Sequence, residues 1–124
     1  MQPNSPLRIT VACHYVPDQS DPAQLHFLFQ YHITIDNIGT DTVTLERRHW
    51  FICDANGKQI EVEGKGVVGE TPTLVPGQQF QYRSAVALET PLGTMHGYYT
   101  LASSEGPIKA NIAPFQLCQP GILH

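Results

Sequence analysis

Apolar and polar residues alternate along several stretches of this chain. The clearest stretch covers residues 25–37, in which Phe27, Phe29, Tyr31, Ile33 and Ile35 occupy every second position. Similar alternation recurs at residues 8–15, 79–88, 94–102 and 108–112. A period of two places successive side chains on opposite faces of an extended chain, so each stretch predicts a half-buried β-strand. No window of comparable length shows the 3.6-residue period of an amphipathic helix.

Residues 42–54 predict a further strand, but this strand does not keep one register. Val43 and Leu45 share a face with Arg47 and His49, which are polar. Either the two polar residues extend outward at a sheet edge, or a β-bulge near residues 47–49 changes which side faces inward. We favour the bulge, because it also allows Trp50 to pack in the core.

Turn-forming residues separate these stretches. The chain contains 10 glycines and 10 prolines. The turn signals are Asn37-Ile38-Gly39, Asp54-Ala55-Asn56-Gly57, Pro76-Gly77, Pro91-Leu92-Gly93 and Ser103-Ser104-Glu105-Gly106-Pro107. This spacing predicts an all-β fold, a single immunoglobulin or fibronectin type III-like β-sandwich of about seven or eight strands.

Length and composition agree with one globular domain over residues 1–124. The chain is 41% hydrophobic and 15% charged, and it shows no repeat or linker. Its net charge of −4 argues against nucleic acid as a partner, because phosphate backbones require basic surfaces.

The apolar runs are too short to cross a bilayer, and the amino terminus has no apolar secretory segment. The three cysteines are far apart, and an odd number suits a reducing compartment. We therefore expect a cytoplasmic protein without membrane insertion.

Two short motifs are candidates for binding. Residues 64–69 match the glycine pattern of dinucleotide-binding turns, but Pro72 and Pro76 follow and rule out the helix that such turns require. The segment therefore predicts a glycine-rich loop, whose successive amides can still bind an anion. Residues 47–50 form a cationic cluster next to an aromatic residue. Such a cluster can bind an acidic partner or a phosphate, but we favour the alternative that it forms a solvated strand edge. The candidate residues for anion or partner binding are Arg48, His49, Gly64, Lys65, Gly66, Gly69 and Glu70.

Motifs for catalysis or metal binding are not evident. The histidines and cysteines lack the spacing of a zinc site, and the acidic residues are spread over several predicted loops. There is no Gly-x-Ser-x-Gly nucleophile turn. We expect a protein that is not an enzyme and that needs no metal or other cofactor.

Three motifs together resemble the bacterial ApaG family. They are Arg48-His49-Trp50, Gly64-x-Gly66-Val67-Val68-Gly69-Glu70-x-Pro72-x-Leu74-x-Pro76-Gly77 and Gly93-Thr94-Met95-x-Gly97-x-Tyr99. The resemblance extends to the strand around Val11, to Phe29-x-Tyr31-x-Ile33-x-Ile35-x-Asn37 and to Pro114-Phe115-x-Leu117, so it spans nearly the whole chain.

This resemblance implies a fibronectin type III-like sandwich and an association with cobalt resistance and magnesium efflux. It also implies a gene neighbourhood shared with a diadenosine tetraphosphate hydrolase, and relatives in eukaryotic F-box proteins. A chain without a spanning segment cannot itself form a path through lipid, so its role in efflux would be indirect.

Our leading hypothesis is an accessory or regulatory protein that binds an unidentified protein partner through a sheet face or the glycine-loop end. The alternative is a phosphate or nucleotide sensor that uses residues 64–70 and Arg48. A metal-binding enzyme ranks last. The exposed edges of a sandwich are compatible with a monomer or a weak dimer.

Overall fold

The computed structural model describes residues 5–121, which form eight β-strands and two single-turn 3₁₀ helices. The strands are β1 (Leu7–Tyr15), β2 (Phe27–Asn37), β3 (Val43–Asp54), β4 (Gln59–Lys65), β5 (Thr73–Leu74), β6 (Gln79–Leu88), β7 (Leu92–Ser103) and β8 (Gly106–Cys118). The 3₁₀ helices, Pro17–Gln19 and Pro22–Gln24, lie between β1 and β2, and each begins with proline.

The strands form two antiparallel sheets. The smaller sheet has the order β1-β2-β6, and the larger has the order β4-β3-β7-β8, with β5 paired to the first residues of β3. The two sheets face each other, with β1 packed near β8. This arrangement confirms the predicted all-β sandwich.

The core lies between the sheets and follows from the alternation in the sequence. In β2, every second residue is buried, and Phe29, Ile33 and Ile35 are fully inaccessible to solvent. Tyr31 of the same strand packs against Trp50 of the opposite sheet, with their ring centres 5.7 Å apart. The period of two therefore identifies the inward face of this strand correctly.

A bulge in β3 changes the inward side of the strand. The register between β3 and β7 shifts between Leu45 and Arg47, so Glu46 is the extra residue. Before the bulge Leu45 is buried, and after it Trp50 is buried, with 2% of its surface exposed. The predicted bulge is confirmed, slightly earlier in the chain than expected.

Two element boundaries differ from the sequence prediction. Leu92 and Gly93, predicted as part of a turn, begin β7, and β8 extends well beyond residues 108–112. Strand β4 was not predicted, because its residues are mostly exposed and it ends in the glycine motif. Edge strands with little buried area carry a weak hydrophobic signal.

Candidate functional site

The second half of the glycine motif is a tight reverse turn. Val67 and Glu70 exchange backbone hydrogen bonds of 2.8 and 2.9 Å, and the two residues between them have positive φ angles, 43° at Val68 and 83° at Gly69. Positive φ at both central positions is typical of a type I′ hairpin turn. Residues 67–70 therefore form a turn, and the chain that follows is extended rather than helical.

The first half of the motif is not a loop, which corrects the predicted loop over residues 64–70. Gly64 and Lys65 are the last residues of β4, and they pair with Arg48 and Arg47 of β3. A Cβ atom on Gly64 would lie 3.1 Å from the Arg48 guanidinium, so the glycine leaves room for that flat group. The glycine here serves side-chain packing within the sheet.

Arg48 holds the end of β4 in place. Its Nη1 donates hydrogen bonds to the carbonyl oxygens of Lys65, at 3.2 Å, and of Gly66, at 2.9 Å. The two motifs selected from the sequence are thus in contact, through a bond between a side chain and the backbone. Part of the donor capacity of Arg48 is already used inside the protein.

Several amides of the turn are also in use. The amide of Gly66 donates to the Glu46 carbonyl at 2.7 Å, and those of Val67 and Glu70 donate to each other's carbonyls. An anion nest requires successive amides that point at one ligand. Three of the five amides at positions 66–70 therefore have protein acceptors, which weakens the case for an anion at this turn.

His49 lies on the opposite face of β3 from Arg48 and belongs to a different surface. On the outside of the larger sheet, four rings pack side by side, namely His49, Phe51, His96 and Tyr98, which we call the outer aromatic patch. His49 stacks on Phe51 and Tyr98 with ring centres 4.7 and 5.0 Å apart, and Phe51 stacks on His96 at 5.2 Å.

Charged side chains border the outer aromatic patch. The imidazole of His49 lies within ion-pair distance of Glu61, at 2.5 Å, and of Glu63, at 3.2 Å, while Lys109 lies over the ring of Tyr98. The tyrosine hydroxyl is also 3.1 Å from Nδ1 of His49. Both nitrogens of this imidazole therefore have partners, which favours a structural role. No local pattern in the sequence indicates Phe51, His96 and Tyr98, since only the pairing of β3 with β7 brings these rings together.

A third feature, which we call the open side, lies between β4 and β6. Among the described residues, no strand pairs with the second edge of β6, and none continues the smaller sheet over β4. Ile60 and Val62 of β4 share the inward face with Ile52 and Trp50, yet each is 37% exposed. A cleft of about 250 Å³ opens here, and its lining includes Tyr31, Arg48, Trp50, Val62, Ser84 and Val86.

Polar groups contribute to the lining of this cleft. Over residues 5–121, no carboxylate forms an ion pair with Arg48, and the buried indole nitrogen of Trp50 has no hydrogen-bond partner. Burial raises the pKa of Tyr31 and, more strongly, of Tyr82, while the nearby Arg48 charge opposes this increase. The Tyr82 hydroxyl is 2.5 Å from that of Tyr99. The open side thus combines apolar side chains with an arginine that has no carboxylate partner among the described residues.

The described part of the chain contains no group of three histidine, cysteine or acidic side chains arranged to hold a metal ion. Neither 3₁₀ turn within residues 5–121 has the length or apolar character of a transmembrane helix. The cysteines, Cys13, Cys53 and Cys118, are unpaired thiols.

Comparison with known proteins gives consistent matches. A family model described as the ApaG domain matches residues 17–103. The protein named ApaG from Shewanella halifaxensis is 51% identical over 124 residues, which covers 99% of this chain and 98% of that protein. The one from Shewanella loihica is 49% identical, with the same coverage. A solved Bordetella pertussis structure, named as an ApaA protein, is 42% identical with a TM-score of 0.89, and the match covers 93% of this chain and 94% of that one.

Proposed function

Because this chain belongs to the ApaG family, we propose that it is a non-enzymatic accessory or regulatory protein of the cytoplasm that acts by binding another protein. The observation that carries this proposal is the open side of the sandwich. The link to cobalt resistance and magnesium efflux, which the family resemblance implies, would then be indirect and would run through the bound partner.

The open side suits a binding surface because its apolar side chains are incompletely covered. Ile60 and Val62 point toward the interior, but the smaller sheet ends at β6 and leaves them partly in water. Covering such surface is favourable by about 25 cal/mol per Å². Exposed apolar surface of this kind is typical of protein-binding sites.

Site-specific photo-crosslinking in cells tests this proposal. A benzophenone amino acid replaces Val62 on the open side or, as a matched control, Thr10, which is exposed on the outer face of β1. We expect a discrete protein adduct from position 62 that is absent from position 10. Equal adducts from both positions, or none from position 62 in a folded variant, would contradict the proposal.

The indirect link to cation handling has a separate test. Val62→Lys places a charge on the open side, and Thr10→Lys places the same charge on the outer face of β1. In a strain that lacks the gene, we expect the Thr10 variant to restore cobalt tolerance and the Val62 variant to fail. Restoration by both folded variants would separate the open side from the phenotype.

The alternative, a phosphate or nucleotide sensor at residues 64–70, stays a proposal with less support. The Gly66, Val67 and Glu70 amides already donate to the backbone, so few amides of the turn remain for an anion. Saturable amide shifts confined to this turn on addition of ATP would favour the sensor.

A further inference from the structure

Building on the proposed protein-binding role, we propose that the partner supplies one extended strand, which pairs with the free edge of β6 and brings a carboxylate to Arg48. The strand would extend the smaller sheet to four strands and cover Ile60 and Val62. This is binding by β-strand addition, in which the backbone gives affinity and alternate side chains give specificity. Three independent features support it.

The first feature is the edge of β6 itself. This strand is ten residues long, contains no proline and has one charged residue, Arg83. Exposed edges are usually protected by charges, prolines or bulges, because unpaired backbone groups bind other strands. The edge strand of the larger sheet, β4, carries such protection in Glu61, Glu63 and Lys65. Of these two edges, β6 is therefore the one suited to accept a strand.

The second feature is the space beside β6, which admits one strand but not a second sandwich. Neighbouring strands lie about 4.8 Å apart, so a strand added to β6 would lie over β4. A second copy of this protein, joined edge to edge, would bring its own β4 into the same layer, where the first β4 already projects. We therefore infer a single extended segment of another protein as the occupant.

The third feature is the chemistry of the cleft. Arg48 is half-buried and has no carboxylate partner among residues 5–121, and its two hydrogen bonds to backbone carbonyls both come from Nη1. A carboxylate complements this guanidinium, because it accepts hydrogen bonds and carries the opposite charge. The cleft volume of about 250 Å³ is smaller than that of most small-molecule sites, which begin near 300 Å³. The cleft therefore suits an acidic side chain within a strand.

A synthetic peptide tests the strand and the carboxylate together. The probe has a core of nine residues, with valine at the second, fourth and eighth positions, glutamate at the sixth and threonine at the others. One lysine is added at each end of this core. The matched control peptide carries glutamine in place of glutamate. We expect saturable binding of the first peptide, at least tenfold weaker binding of the second, and slower hydrogen exchange of β6 amides in the complex.

Variants of the protein separate this inference from the broader proposal. Val62→Lys is expected to abolish peptide binding, and Thr10→Lys to leave it unchanged. If position 62 crosslinks to a partner in cells but no peptide binds at millimolar concentration, the strand mode is wrong and the protein-binding role stands. Equal affinity for both peptides would overturn the role of Arg48 as a carboxylate receptor, as would amide changes confined to the outer aromatic patch.

Discussion

At the scale of single residues, neighbours in the sequence have separate tasks. Arg48 points to the inward face and bonds to the end of β4, whereas His49 points outward into the aromatic patch. Alternation along a strand explains this division, because consecutive side chains lie on opposite faces. The cationic cluster at residues 47–50 is thus split between two surfaces. The predicted strand edge there is wrong, because β3 pairs with β4 on one side and with β7 on the other.

Gly66 and Gly69 lie in one turn but differ in their tolerance of a side chain. Both have positive φ, yet a Cβ on Gly66 would lie 2.2 Å from the Glu70 carbonyl oxygen, whereas a Cβ on Gly69 meets no atom within 4 Å. We expect Gly66→Ala to lower the free energy of unfolding by about 3 kcal/mol, and Gly69→Ala by about 1 kcal/mol. Urea denaturation measures both, and equal losses would contradict the steric argument.

At the scale of elements, the strands with alternating residues could be predicted from the sequence, but the short or exposed strands could not. Strands β1, β2, β3 and β6 coincide closely with the stretches identified from alternation. Strand β4 was missed because an edge strand buries little surface, and β5 because two residues carry no period. Local patterns report burial, so elements that are barely buried leave little trace in them.

Asn37 connects the end of β2 to the loop that follows it and to β5. It is 1% exposed, its amide nitrogen donates to the carbonyls of Asp41 and Leu74, and its side-chain oxygen accepts from the Gly39 amide. Asn37→Asp would replace a donor by a carboxylate oxygen beside two carbonyl oxygens. We expect a loss of about 3 kcal/mol in the free energy of unfolding, since the charge would be buried without a partner.

Asn111→Asp is the matched control for this substitution, because Asn111 is exposed on β8. Its effect should stay within about 0.5 kcal/mol, as is usual for surface positions. Chemical denaturation of the two variants at neutral pH makes the comparison. A similar loss of stability in both variants would show that the hydrogen bonds of Asn37 do not stabilise the contact between β2 and β5.

At the scale of the whole molecule, the fold was more predictable than the site. The sandwich follows from periodicity and turn residues, whereas the open side depends on which strand ends each sheet. The cleft brings Arg48 and Trp50 of β3 beside Ser84 and Val86 of β6, although β3 and β6 are not paired. Contacts between the two layers leave no local signal, so the sequence indicated Arg48 but not its surroundings.

Buried tyrosines make the stability of the whole protein depend on alkaline pH. Burial raises the pKa of Tyr82 and Tyr99 far above that of an exposed tyrosine, near 10. Both groups are neutral in either state below pH 10, and above it only the unfolded state loses their protons. The free energy of unfolding should therefore fall above pH 10, by about 1.4 kcal/mol per pH unit for each tyrosine.

The double variant Tyr82→Phe with Tyr99→Phe tests this assignment. Replacing both members of the hydroxyl pair leaves neither hydroxyl without its partner, so stability at pH 8 should change little. Between pH 10 and 11 the variant should lose stability more slowly than the natural chain, as measured by denaturation at each pH. Identical slopes would mean that other groups cause the alkaline loss.

The way the two sheets share the chain has a consequence for folding. The smaller sheet contains β1, β2 and β6, and the larger sheet contains β3, β4, β5, β7 and β8. The pairing of β2 is therefore complete only after β6 is synthesised, and that of β3 only after β7. On the ribosome, the first four strands emerge before either central strand has its second neighbour. Such distant pairing slows folding to milliseconds or seconds. Nascent chains that end before β7 leave one edge of β3 unpaired and Trp50 without its contacts to Tyr99 and Phe115, and chaperones can bind such exposed surface.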